Sequence, residues 1–221
     1  TCAVASKNLP AKSVLLYVIV DATICDPIAV AGAAAHAGAD FIQLRHLSAT
    51  DVQYTETARA VQAAISGTGA KFIVSERPHL VPRLGAAGVH IGETYRDIQT
   101  AREEIGARPI LGVSQFDPSF IAENLGEDFP VDYLSVGPVW TTVSKADAGA
   151  AIGVSATATK VIGNPYQSAV IGGITSQNVA ELLHSIRAAG TPVAPPMIVV
   201  LGEVCRAEDP AAAARALKAA L

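Results

Sequence analysis

Short apolar runs recur along this chain at intervals of roughly 25 residues, each followed by an Ala-rich or amphipathic stretch. The runs lie at residues 15–20, 41–45, 71–74, 88–92, 110–114, within 131–139, at 169–174 and at 197–204. Between them the sequence predicts a helix over residues 26–37, with Asp26 at its start and Pro27 in the first turn. A second is expected over 48–65, with Ser48 as N-cap. Further helical stretches are read at 79–84, 97–105, behind Asp117-Pro118, at 157–163, at 176–188 and from Asp209-Pro210 to residue 221. Strands that are apolar throughout must be buried on both faces, the condition of a parallel sheet covered by helices. With right-handed crossovers, eight such units in about 205 residues favour a single (β/α)8 TIM barrel, an α/β fold, over an open doubly wound sheet.

No shift of composition marks a second domain. Residues 1–13 read as a leader segment, 14–221 as the barrel, and 188–196, with Gly190, Pro192, Pro195 and Pro196, as a surface loop. Half the residues are hydrophobic but only 5% are aromatic, so small side chains let helices approach the sheet closely. The formal net charge is −4 and Lys and Arg do not cluster, which argues against a nucleic-acid partner. No apolar run is long enough to predict a membrane span. Cys2, Cys25 and Cys205 are far apart and lack C-x-x-C spacing, which reads as thiols in a reducing cytoplasm. A homo-oligomer is compatible with the sequence, and a disulfide is not decided by it.

Polar residues collect at the C-terminal ends of the runs: Asp21, Gln43, Arg45, Ser75, Glu76, Arg77, His90, Ser114 and the loop from Thr141 to Lys145. Active sites of such barrels sit on that rim. Gln43 and Arg45 are two apart and share a strand face, leaving Ile42 and Leu44 to the helices. An inward guanidinium needs an anion; a structural partner in Glu76 and a ligand are the two readings. Gly172-Gly173 allows close backbone approach to a phosphate, or is a simple turn. The hydroxyls and ammonium of the 141–145 loop are a second anion-binding candidate, or a solvated loop.

Eight short motifs then occur in order. They are Leu16-Tyr17-Val18-Ile19-Val20-Asp21, Gln43-Leu44-Arg45, Ser75-Glu76-Arg77, Gly88-Val89-His90-Ile91-Gly92, Gly112-Val113-Ser114, Gly137-Pro138-Val139 with Lys145, Ile171-Gly172-Gly173-Ile174 and Ala207-Glu208-Asp209-Pro210. Together they resemble the thiamine phosphate synthase/TenI superfamily over residues 14–221. The resemblance implies joining of a hydroxymethylpyrimidine diphosphate to a thiazole phosphate. Pyrophosphate leaves, a pyrimidine carbocation forms, and the thiazole nitrogen captures it. It implies Mg²⁺ and cationic groups to stabilise the departing charge. By position, Arg45, Ser114 and Lys145 are the implied catalytic residues. Gln43, Arg45, Ser75, Arg77, Ser114, Thr142, Ser144, Lys145, Gly172, Gly173 and Gly202 would bind substrate.

The chain departs from the family pattern in several places. Leu47 stands where a Lys is usual, and Ser75-Glu76-Arg77 where Asn-Asp-Arg is usual. Tyr95 occupies the place of a second metal Asp, so the expected metal ligand is Glu76, with Glu93 or Asp97 as its partner. Gly202-Glu203 replaces a Ser-Ala pair, and a Glu203 carboxylate facing a phosphate at ~5 Å would cost roughly 3 kcal/mol. Phe116 stands where the TenI-type thiazole tautomerases carry their acid/base His. His90 is not its equivalent by position, and reads either as a site residue or as strand-end packing. The alternatives to synthesis are therefore a divergent member that binds a thiamine-precursor-like phosphate without that reaction, and a tautomerase lacking its usual His.

Overall fold

The computed structural model describes residues 13–92, 97–114, 131–144 and 149–221. Eight parallel strands close into one barrel in sequence order: β1 (Leu15–Asp21), β2 (Phe41–Arg45), β3 (Lys71–Ser75), β4 (Gly88–Ile91), β5 (Ile110–Val113), β6 (Tyr133–Val136), β7 (Gln167–Ile171) and β8 (Met197–Val200), with β8 paired to β1. Among the described residues the helices are α1 (Pro27–His36), α2 (Asp51–Ala64), α3 (Val81–Leu84), α4 (Ile98–Ile105), α5 (Val154–Gly163), α6 (Val179–Ala189), α7 (Gly202–Cys205) and α8 (Pro210–Ala220). A 3-10 turn, Pro78–Leu80, precedes α3. None of them is long and apolar enough to cross a membrane. The expected leader, apart from its last residue, and the helix behind Asp117-Pro118 lie outside the described residues.

Capping explains where several helices start. Asp26 accepts from the N–H groups of Ile28 and Ala29, as its position predicts. The second helix begins at Asp51, not at Ser48. Thr50 and Gln53 form a capping box there, satisfying two end donors that Ser48 would leave two residues away. The expected seventh strand ends early, at Ile171, because Gly172 and Gly173 leave the extended region with φ of +110° and +64°. The apolar stretch 197–204 is not all strand either; after Val200 it turns into the single-turn helix α7.

Two layers of core follow from strand alternation. Outward residues such as Val18, Val20, Ile42, Leu44, Val74 and Ile198 pack against the helices. Inward residues, among them Tyr17, Ile19, Phe41, Ile73, Ile110, Tyr133, Met197 and Val199, fill the barrel. At the N-terminal end, two carboxylates hold strand backbone. Asp40 accepts from Leu16 N–H at 2.7 Å, and Asp132 accepts from Leu111 N–H at 2.8 Å while pairing with Arg102 at 2.9 Å.

One interior contact fixes a glycine. A Cβ on Gly112 of β5 would lie 1.9 Å from Cζ of Tyr133 on the neighbouring strand. Gly112→Ala therefore forces the Tyr133 ring to move and should lower stability by about 1–3 kcal/mol in urea unfolding. Gly163→Ala, where no atom lies within 4 Å of the added methyl, should not destabilise the fold.

Candidate active site

Following the inward row of each strand to the C-terminal rim gives Asp21, Arg45, Ser75, His90, Ser114 and Ser135 on β1 to β6, then Ile171 and Leu201 at β7 and β8. The mouth thus has a polar arc and an apolar arc. A closed barrel places these residues on one ring although they lie far apart in sequence.

Arg45 does not pair with Glu76. Its guanidinium is bonded to Asp21, which is 1% exposed, while Arg45 itself is 24% exposed and reaches the mouth. The Asp21 carboxylate also accepts from the N–H and hydroxyl of Thr23, at 2.9 and 2.7 Å. Burial alone would push this carboxyl up; the Thr23 and Arg45 hydrogen bonds outweigh it and hold the group below the usual Asp range. The pair brings a cation to the rim with much of its charge already balanced.

Beneath the rim a hydrogen-bonded chain crosses the barrel. Gln43 Nε2 donates to Ser75 Oγ at 3.2 Å, and the Tyr17 hydroxyl donates to Gln43 Oε1 at 2.9 Å. The Tyr17 and Tyr133 hydroxyls are 3.1 Å apart, His90 Nδ1 is 3.0 Å from the Tyr133 hydroxyl, and His90 Nε2 is 2.8 Å from Ser114 Oγ. Burial raises both phenols well above their ordinary range, so both stay neutral. Each hydroxyl has one hydrogen to give. With Tyr17 donating to Gln43, Tyr133 donates to Tyr17 and His90 Nδ1–H donates to Tyr133. In a neutral imidazole, Nε2 is then the acceptor for the Ser114 hydroxyl. The chain ties Ser75, Gln43, His90 and Ser114 to Tyr17, which lies inside the first motif without a role of its own there, and to Tyr133, which lies outside the motifs. The available signal was their parity: Tyr17 shares a face with Asp21, and Tyr133 is an aromatic on a strand of inward-facing small neighbours.

Glu76, just past β3, is a non-glycine residue at φ +61°, with its N–H bonded to the His90 carbonyl at 3.0 Å. This is a strained conformation of the kind that gathers at functional sites. Its carboxylate and the Ser114 hydroxyl lie 2.8 and 3.1 Å from the point where a Gly92 side chain would begin, so they share one corner of the mouth. Asp97 is not beside them in function: its oxygens cap α4, accepting from the N–H and hydroxyl of Thr100. No group of three or more metal-ligating side chains is present among the described residues, and Glu93 and Tyr95 lie outside them. Arg77 is also directed elsewhere. Its donors go to Asp51 and to the carbonyls of Leu47 and Ala49, and its guanidinium lies 4.6 Å above the Tyr54 ring. It anchors the β2–α2 loop instead of offering a rim cation.

Across the mouth, the loops after β6, β7 and β8 form a second corner. A Cβ on Gly172 would lie 2.4 Å from Pro138, and one on Gly173 2.7 Å from the Trp140 side chain, so the β6 and β7 loops fit only without side chains there. Asn178 holds this turn, donating to Gly173 O and accepting from Thr175 N–H. Thr142 Oγ1 accepts from Ser144 N–H. Ser144 Oγ and Arg206 Nη1, 3.1 Å apart, both crowd Gly202. Arg206 is a cation that the sequence motifs did not nominate. Glu203 Oε1 accepts from Ser176 N–H at 3.3 Å, so the β7–α6 loop takes up this carboxylate. Lys145 and Phe116 lie outside the described residues.

Comparison with known proteins gives the family and agrees with the fold. The family model described as thiamine monophosphate synthase matches residues 16–193. A thiamine-phosphate synthase of Xanthobacter autotrophicus is 38% identical over 190 residues, covering 86% of this chain and 85% of that protein. One from Chlorobium phaeobacteroides is 33% identical over 95% of this chain and 96% of its own length. Among solved structures, thiamine phosphate pyrophosphorylase from Pyrococcus furiosus superposes with a TM-score of 0.78 at 26% identity, over 94% of this chain and 95% of that one. A 3-hexulose-6-phosphate synthase, with a TM-score of 0.66 at 17% identity and covering 94% and 99% of the two chains, shares the fold alone. The chain belongs to the thiamine monophosphate synthase family.

Proposed function

We propose that this protein condenses a hydroxymethylpyrimidine diphosphate with a thiazole phosphate, releasing pyrophosphate. The observation that carries the reading is the division of the mouth. Arg45, Ser114 and Glu76 stand on the polar arc, and Ser144, Arg206 and the Gly173 and Gly202 backbone stand at the opposite corner. A bisubstrate site for one diphosphate and one monophosphate needs two separated anion sites with an apolar wall between them. Ile171 and Leu201, at the ends of β7 and β8, give an apolar face beside the second corner.

In this reading Arg45 holds the diphosphate, kept in position by Asp21, and Gln43 meets the pyrimidine edge. A diphosphate oxygen beside Ser114 takes the hydroxyl hydrogen that otherwise goes to His90. Glu76 would hold Mg²⁺. One carboxylate together with phosphate oxygens and waters suits this ion, and when bound it would supply Lewis-acid neutralisation of the leaving group. Lys145 and Thr142 would flank the phosphates from the β6 loop. Glu203, drawn to Ser176, leaves the phosphate corner to Arg206, which offsets its charge.

Purified protein mixed with both precursors and Mg²⁺ should form thiamine phosphate, detectable by fluorescence after oxidation. Absence of product at high enzyme concentration, with each precursor still bound by calorimetry, would favour a binding-only family member instead. Arg45→Ala should lower kcat/KM at least a hundredfold, since a charge-assisted contact to the departing anion is lost. Glu76→Gly should separate stability from catalysis. Glycine relieves the positive φ and should stabilise the fold by up to about 1 kcal/mol, while the Mg²⁺ concentration for half-maximal rate rises. Asp21 gives an acid limb. Its folded pKa is lowered, so its contribution to stability is present above the unfolded value near ~3.9 and disappears as pH falls through the folded value. Urea midpoints measured from pH 6 down to 2 should fall more steeply in the wild type than in Asp21→Asn.

A further inference from the structure

The two described cysteines meet, although 180 positions separate them in sequence. Cys25 lies in the turn after β1 and is half-buried; Cys205 ends α7 and is buried. Both thiols are anchored on the end of one strand. Cys25 Sγ donates to Asp21 O at 3.5 Å, and Cys205 Sγ to Ile19 O at 3.3 Å. Carbonyls two apart on a strand point the same way, so the two thiols lie along one edge of β1, near enough for each to shift the other's titration. Their backbones are fixed as well: Cys25 N–H donates to Asp21 O and Cys205 N–H to Leu201 O, at 3.0 and 2.9 Å.

We infer that Cys25 and Cys205 are a redox-active dithiol, a modification site that a peroxide closes into a disulfide joining the β1–α1 turn to α7. Two features support it beyond proximity. The neighbouring sulfur lowers the pKa of Cys205 and raises that of Cys25, so the Cys205 thiolate is the easier to form. Cys25 is partly exposed, which gives a small oxidant access to the pair. The reaction balances with one peroxide. One sulfur takes an oxygen as sulfenic acid while the other peroxide oxygen leaves as water. The second sulfur then attacks the first and displaces its oxygen as a second water, and the S–S bond forms with both thiol protons consumed.

The two segments that would be joined follow the paired strands β1 and β8. The β1–α1 turn carries Thr23, which brackets Asp21 and through it Arg45; α7 begins at Gly202 and is followed by Arg206. The bond would also enclose most of the barrel in one covalent loop, constraining the unfolded chain.

The test uses the full chain, treated with a small excess of hydrogen peroxide and digested without reductant. A peptide pair linked through Cys25 and Cys205 is expected, lost on adding dithiothreitol and absent from Cys25→Ser and Cys205→Ser proteins. The oxidised wild type should melt roughly 5 °C or more above the reduced form, and neither serine variant should show that rise. Oxidation of Cys25 to sulfinic acid while Cys205 stays a thiol would overturn the inference. So would a link made chiefly through Cys2.

Discussion

Closing eight parallel strands into a barrel of this size leaves room inside for one row of side chains per strand, and that row must serve two purposes. Near the N-terminal end it has to fill the interior with apolar volume, as Phe41, Ile73, Ile110 and Met197 do. Near the C-terminal end the same row becomes the wall of the site, as Asp21, Arg45, His90 and Ser114 do. Strand alternation leaves no freedom in between. A shift of one residue in any strand would send a rim residue into the helix layer and an aliphatic into the mouth. The carboxylates Asp40 and Asp132, which hold strand backbone at the opposite end, help secure the register on which the site depends.

Burying polar residues in that row is tolerable only because each is partnered. Gln43, Tyr17, Tyr133 and His90 satisfy one another in a continuous chain, and Asp21 answers Arg45. An unpaired guanidinium or amide at these positions would cost several kcal/mol. The same bonds prepare the site, since they fix the orientation of His90 and Ser114 and present Arg45 from a buried anion. Among the described residues, Glu76 is the one non-glycine at positive φ. The corner formed by the β6, β7 and β8 loops is built differently, from glycines that let those loops approach one another and from the Ser144–Arg206 contact.

Much of this was legible from sequence. The eight apolar runs announced the barrel because burial on both faces leaves a continuous apolar signal. The i, i+2 spacing of Gln43 and Arg45 announced an inward polar pair, and Ile42 and Leu44 do face the helices. The partner of Arg45 was not legible. Asp21 and Glu76 are both rim carboxylates, and only the closed register sets Asp21 opposite Arg45 across β1 and β2. The tyrosine links were hidden for the same reason: their hydroxyls meet across the barrel, and no local pattern records that distance. Arg77 looked like a rim cation by its place after β3, yet the carbonyls of the β2–α2 loop and the Tyr54 ring claim it. Strand ends misled where apolar composition continued past a change in backbone, as at Gly172 and in α7.

In the function proposed above, the polar arc receives the diphosphate and the β6–β8 corner the monophosphate. A crystal structure with thiamine phosphate, pyrophosphate and Mg²⁺ tests this most directly. Pyrophosphate is expected between Arg45 and Ser114, with the metal on Glu76, and the thiamine phosphate group against Ser144, Arg206 and the Gly173 backbone. Pyrophosphate in the Ser144–Arg206 corner, or product bound with Arg45 turned wholly onto Asp21 and touching no phosphate, would contradict it.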